Sequence, residues 1–134
     1  MNLDLYSDRA KQAVQSAQSL ALARRHQQFA PEHLLKVLLE ERDGLARNLI
    51  TAAGGDPAKA EAATETALKK RAQVSGGNGQ LYLDGDTARV FAAAEAASRK
   101  AGDAFVTTER LLSAIAREGG VAAEVLKSVG ATPD

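Results

Sequence analysis

Apolar residues recur along this chain at three- and four-residue spacing. Val14, Ala17 and Ala21 stand at i, i+3 and i+7, with Gln12, Gln15 and Ser19 between them, which is the stripe of an amphipathic helix over about residues 7–25. Ser7 is its expected N-cap, a hydroxyl placed to accept from free backbone N–H groups. A second helix is predicted to start at Pro31, whose missing N–H has no partner to lose at a first helical position. Leu34, Leu35, Leu38 and Leu39 form its buried face. Leu45, Ala46, Leu49, Ile50 and Ala53 make the stripe of a third helix, stopped by Gly54 and Gly55, where a left-handed residue can close a helix. Asp56 and Pro57 then read as N-cap and first position of a fourth helix reaching about Arg71.

The pattern breaks at VSGGNGQLYLDGD, residues 74–86, where four glycines and an Asn-Gly pair mark a crossing. Beyond it the first half starts again. FAPEHLLKVLLEERDG at residues 29–44 is answered by FVTTERLLSAIAREGG at residues 105–120, an offset of 105 − 29 = 76. That offset carries Val14, Ala17 and Ala21 onto Val90, Ala93 and Ala97, Leu45 and Ala46 onto Val121 and Ala122, and Gly54 onto Gly130. In the second helix the match improves with one more residue, Glu32, Leu34 and Leu35 meeting Glu109, Leu111 and Leu112, a slip that a one-residue loop change accounts for. Self-similarity at one fixed period means a tandem duplication. The predicted fold is all-α: one domain over residues 1–134, a four-helix first repeat over 1–73, a connector over 74–83 and a second repeat over 84–134, packed about a pseudo-twofold axis. The second copy reaches Thr132 and Pro133, the counterpart of the fourth helix start, and ends at Asp134. Its last helix is therefore expected to be truncated.

Composition supports this and removes several functions. The 28 alanines outnumber ten valines plus isoleucines, a balance that favours helix over strand. A chain of 134 residues with 45% apolar content suffices for one core and is small for two domains. Seventeen basic residues match seventeen acidic ones, so no net field draws in nucleic acid or an anionic membrane. Cysteine is absent, which excludes disulfides and thiol chemistry and suits a reducing compartment; a cytoplasmic location is expected. No apolar run approaches the roughly 20 residues that span a bilayer.

Catalytic and metal chemistry find little footing. His26 and His33 are the only histidines, and two such ligands without cysteine do not make a metal site. No GxxxxGK[ST] is present, so the SGGNG loop reads as a connector and not as a phosphate cradle. The seven serines stand in no G-x-S-x-G elbow. Arg24, Arg25, Lys69, Lys70 and Arg71 lie near helix C-termini, where cations complement the helix dipole. Glu32 and Glu109 stand in first turns, where a carboxylate meets free N–H groups without needing a ligand. An enzyme is not expected, and neither a metal nor another cofactor.

The paired PEHLLKVLL and TERLLSAIA, the stops ITAAGGDPAK and KSVGATPD, and the connector VSGGNGQLYL together resemble the Clp N-terminal domain, the duplicated helical module heading Hsp100 AAA+ chaperones and unfoldases. The opening LYSDRAKQAVQSAQSLAL and the stretch AGDAFVTTERLL place the resemblance nearest the disaggregases, and it covers residues 3–133. It implies a module that binds exposed apolar segments of unfolded or aggregated clients and presents them to a ring. The longer protein resembled carries ATP and magnesium in its AAA+ modules, forms a homohexamer and works with an Hsp70 system; the module alone is expected to be a monomer. The resemblance implies client-binding roles for Ser7, where threonine is usual, and for Asp103 and Glu109. It maps an apolar groove onto Ala13, Ala93, Ala97 and Arg110, where larger aliphatic residues stand elsewhere, so the groove is expected to be shallower and its binding weaker unless Phe105, Leu5 or Tyr6 contributes the missing apolar surface. The second copy's helix start, with Thr107 as cap, is the expected client end. Two other roles fit the resemblance: docking of an adaptor or of phosphoarginine, and gating of the ring without a ligand.

Overall fold

The computed structural model describes residues 3–41, 44–71, 73 and 81–131. After a 3₁₀ turn at Leu3–Leu5 the helices are α1 (Asp8–Ala23), α2 (Pro31–Glu40), α3 (Leu45–Ala52), α4 (Pro57–Lys69), α5 (Gly85–Ala101), α6 (Thr108–Glu118) and α7 (Val121–Ser128). Two two-residue strands accompany them, β1 (Gln28–Phe29) and β2 (Tyr82–Leu83). The expected starts hold: the Ser7 hydroxyl accepts from the Ala10 N–H, Asp56 accepts from Ala58 and Lys59, and Thr107 accepts from Arg110. Gly54 and Gly130 close α3 and α7 with φ of +94° and +85°, a conformation that favours glycine. Residues 74–80 of the connector, and Thr132 and Pro133, lie outside the described residues.

Short α2 is the centre of the fold. It packs against every other α-helix described, and Leu34, Leu35 and Leu39 are wholly enclosed. Only an apolar surface on nearly all sides can occupy such a place. The mixed composition of its first turn, Glu32 and His33 both buried, is therefore an exception that needs partners.

Internal symmetry is tightest at an offset of 77, not 76, through the first two helices. Ser7 and Asp84 are both N-caps. The buried residues of α1, namely Ala10, Ala13, Val14, Ala17 and Ala21, correspond one for one to Thr87, Val90, Phe91, Ala94 and Ser98 of α5. The offset becomes 76 only at Gly44 and Gly120, the N-caps of α3 and α7. The one-residue loop change thus lies after the second helix of each copy and not before it. Alanine-rich α5 hides this register, because a shift by one residue still sets Ala17 against an alanine, Ala93 or Ala94, and keeps Val14 against an apolar side chain, Val90 or Phe91. Ala93 and Ala97 are consequently not the twins of Ala17 and Ala21: Ala93 is half-buried and Ala97 exposed. Leu45 and Val121, expected on buried stripes, are exposed at equivalent helix starts.

The short strands were not predicted, and they join the copies. Gln28 and Phe29 pair in parallel with Tyr82 and Leu83, and an equivalent parallel bridge links Tyr6 to Val106. In each seam the segment before one copy's first helix pairs with the segment before the other copy's second helix. Tyr6 is buried beneath its seam, edge-on to Phe91 at 6.0 Å, with Phe29 on the same ring at 6.0 Å. The shared core is thus built across the seams.

Candidate functional site

The starts of α1 and α6 form one surface. The Ser7 N–H donates to the Val106 carbonyl at 2.8 Å and the Val106 N–H to the Leu5 carbonyl at 2.8 Å. Turning Val106 inward, where it is 3% exposed, turns its neighbour Phe105 outward, at 52%. Leu5, on the other side of the seam, is 44% exposed. The backbone of Phe105 is held by the Ser98 hydroxyl, which donates to its carbonyl at 3.2 Å. An aromatic ring and a leucine are therefore presented by a fixed backbone.

Charged groups border these apolar side chains. Arg110 Nε donates to Asp103 Oδ2 at 3.0 Å, spanning the turn between α5 and α6, and Glu109 is exposed in the first turn of α6. Beside this surface runs a cleft of about 560 Å³ between α1, α2 and α3, with Arg9 and Thr108 at one end and Glu40 and Glu41 at the other. Ala13, Leu38 and Ala46 contribute to its wall.

The expected groove is only partly assembled. Ser7, Asp103, Phe105, Glu109 and Arg110 are gathered at the α1–α6 end, and Ala13 lines the adjoining cleft. Ala93 and Ala97 belong to α5 and do not line that cleft. Arg110, assigned to the apolar floor, is instead a rim cation paired with Asp103. Of the three residues offered as substitutes for missing aliphatic surface, Leu5 and Phe105 are exposed, whereas Tyr6 is 1% exposed and its hydroxyl donates to Glu95 at 2.7 Å. Burial foremost, then the Glu95 carboxylate, raises the Tyr6 phenol well above its ordinary range.

The opposite seam carries a polar cluster that residue spacing did not reveal. His26 Nδ1 and His33 Nε2 are 2.8 Å apart, and the Ala30 N–H donates to His33 Nδ1 at 3.0 Å. This last bond offsets the missing side-chain cap at Ala30. Burial, with His26, Arg71 and Arg24 nearby, pulls His33 down to about 4; burial, then Arg71 and Arg24, also lowers His26. Arg71 Nε donates to Glu32 Oε2 at 3.0 Å and its Nη2 to Asp84 Oδ2 at 3.4 Å. Arg24 grips both oxygens of Glu65 at 2.6 Å, and this bond pulls the Glu65 carboxyl down to about 2. The one available signal was the count: two histidines in the whole chain, on either side of a turn and near one buried helix start.

Among the described residues no group of three or more His, Asp or Glu side chains is placed to hold a metal ion, and no helix is long and apolar enough to cross a membrane.

Comparison with known proteins agrees with this architecture. A sequence-family profile described as the Clp repeat (R) N-terminal domain matches residues 5–129. The chaperone protein ClpB of Agrobacterium fabrum is 53% identical over 133 residues, which is 98% of this chain and 15% of that protein. The chain thus spans about 15% of the length of the curated relatives it matches. The Hsp104 N-terminal domain from Candida albicans has a TM-score of 0.85 at 18% identity, covering 96% of this chain and 84% of that one. The N-terminal domain of ClpD from Arabidopsis thaliana has a TM-score of 0.71 at 25% identity, covering 98% and 92%. With its paired helical copies, its two seams and a family match over nearly all of its length, this chain belongs to the Clp repeat N-terminal domain family and is a ClpB-like Hsp100 chaperone domain.

Proposed function

We propose that the surface at the starts of α1 and α6 binds exposed apolar segments of unfolded or aggregated proteins. The observation that carries this reading is Phe105. Internal symmetry equates Phe105 with Gln28, and Val106 with buried Phe29, so the second copy presents an aromatic ring where the first presents an amide. A half-exposed phenylalanine beside a half-exposed leucine costs solubility and gains nothing for the core, which is the ordinary sign of a contact surface. Asp103, Arg110 and Glu109 give that surface a polar rim, and Ser7 and Thr107 hold the two helix starts that present it. Ala13 and the cleft beside it offer room for a further side chain of the client, while Ala93 and Ala97 leave α5 shallow.

An extended client loses much chain entropy on binding and gains a small apolar area here, so affinity is weak and exchange fast. Weak, sequence-tolerant capture suits delivery to an ATP-driven hexameric ring in the longer chaperone, with ATP and magnesium held elsewhere in that protein and an Hsp70 system as its partner. A cytoplasmic location, expected from the lack of cysteine, goes with this reading. Phosphoarginine docking finds one of its two carboxylates already engaged, since Glu32 receives Arg71. To test the reading, Phe105→Ala and Leu5→Ser are compared with the unaltered domain in binding a fluorescent unfolded polypeptide. Each weakens binding without lowering the unfolding midpoint; unchanged binding by both variants contradicts the proposal.

A further inference from the structure

The two seams are equivalent by symmetry, yet the residues that bracket them differ in kind. At the offset of 77, His26 corresponds to Asp103 and His33 to Arg110. Each pair stands seven residues apart, on either side of a seam segment, and each is in contact: 2.8 Å between the imidazoles, 3.0 Å between guanidinium and carboxylate. The first copy has therefore a neutral, buried pair where the second has an ion pair near the surface. His33 is 0% exposed and His26 5%.

Hydrogen-bond roles fix the protons of the imidazoles. The Ala30 N–H can only donate, so His33 Nδ1 is an acceptor and the ring proton is on Nε2. That proton is then donated to His26 Nδ1, which places the proton of His26 on its own Nε2. No added proton can be accommodated. On His33 Nδ1 it faces the Ala30 N–H; on His26 Nδ1 it faces the His33 Nε2–H. Moving the His33 proton to Nδ1 to relieve the second clash recreates the first. A positive charge also finds two guanidiniums close by, Arg24 from the end of α1 and Arg71 from beyond α4. The carboxylates of Glu65, Glu32 and Asp84 are engaged by those arginines, and Lys36 of α2 lies 3.5 Å from Glu65.

The bonds at risk hold the β1–β2 seam. His26 and His33 flank residues 27–30, the segment in which the Gln27 carbonyl accepts from the Tyr82 N–H at 2.9 Å and the Phe29 carbonyl from the Asp84 N–H at 3.1 Å. The Phe29 carbonyl also accepts from the Thr87 hydroxyl at 2.7 Å. We propose that the His26–His33 pair is an acid-sensitive latch, whose release by protonation opens the β1–β2 seam while the Tyr6–Val106 seam, bracketed by Asp103 and Arg110, stays closed. Mild acid would thus loosen one side of the shared core and leave the Phe105 surface intact.

Native-state hydrogen exchange tests this, with opening constants corrected for the intrinsic pH dependence of amide exchange. Between pH 6.5 and 5.5 the constants for the Ala30, Tyr82 and Asp84 amides are expected to rise up to about tenfold per proton taken up, while those for Ser7 and Val106 do not change. Ring nitrogen shifts at pH 7.5 should show Nε2–H on both histidines. The double variant His26→Asn, His33→Gln, whose glutamine can still accept from the Ala30 N–H, should abolish the difference in pH response. Equal opening of both seams, a flat response of the β1–β2 seam, an Nδ1 proton on His33, or an unaltered pH response in the double variant each overturns the latch. If that variant does not fold, the comparison of the two seams in the unaltered domain still decides.

Discussion

Phe105 and Gln28 occupy the same place in two copies of one pattern, so the α1–α6 seam adds a half-exposed ring to Leu5 where the β1–β2 seam, with Tyr82 and Leu83 half-exposed, has an amide. Truncating Phe105 to alanine removes apolar area that is already half in water, so the unfolding midpoint is expected to move little. Binding of an unfolded polypeptide should lose up to about 2 kcal/mol if the ring is fully covered by the client. Fluorescence titration and thermal melts on the same samples separate the two effects. A second residue-scale prediction concerns pH. His33 titrates near 4 in the folded chain against an ordinary 6.5, so the folded state favours the neutral ring. Its contribution is complete above about pH 7 and is lost as the pH falls from 6.5 toward 4, where the unfolded chain binds a proton and the native chain does not. The loss is on the order of 3 kcal/mol, and denaturant melts at pH 7.5 and 4.5 should show most of it. His33→Gln should flatten that dependence. The repeat at an offset of 76 pairs Phe105 with Phe29, the wrong twin, and only the family resemblance points to Phe105 as a contact residue. Alanine-rich α5 has no unique register, and only the strand pairing reveals that Val106 matches Phe29.

Helices were legible because their ends carry strong local chemistry. Ser7, Pro31, Asp56, Thr107 and the glycines at 54 and 130 act through neighbours one to four residues away, and all sit where the spacing predicted. The strands were not legible, since two residues offer no alternation and their partners lie more than fifty positions away. Thr107 is the element-scale test of the α6 start. Thr107→Ala removes the bond to the Arg110 N–H and should cost about 1 kcal/mol in denaturant unfolding. It should also weaken client binding, because the first turn of α6 carries Glu109 and Arg110. At the equivalent Ala30 the side chain makes no cap bond and His33 reaches back instead, so a capping contribution there depends on pH where that of Thr107 does not.

The whole molecule is two copies exchanged at their seams. Each copy's leading segment pairs with the other copy, and α2 touches helices of both, so neither half encloses a core. Separate peptides of residues 1–73 and 74–134 are expected to lack cooperative thermal unfolding, which circular dichroism reports directly. Truncating Leu35 or Leu111, each fully buried, should cost 2–5 kcal/mol or more of the shared core, with neither copy surviving alone. The duplication, and with it the fold, could be read from the chain. Which copy meets clients could be argued only from the asymmetry around Phe105, because the wall of the neighbouring cleft is assembled from α1, α2 and α3 together.

Whether clients are met at the α1–α6 end is decided by recording amide shifts of labelled domain while an unfolded apolar polypeptide is added. Progressive, fast-exchange shifts are expected at Leu5, Ser7 and residues 103–110, with Tyr82, Leu83 and Gln28 at the equivalent seam unmoved. Shifts confined to the β1–β2 side, or none at residues 103–110 at saturating polypeptide, would contradict binding at that end.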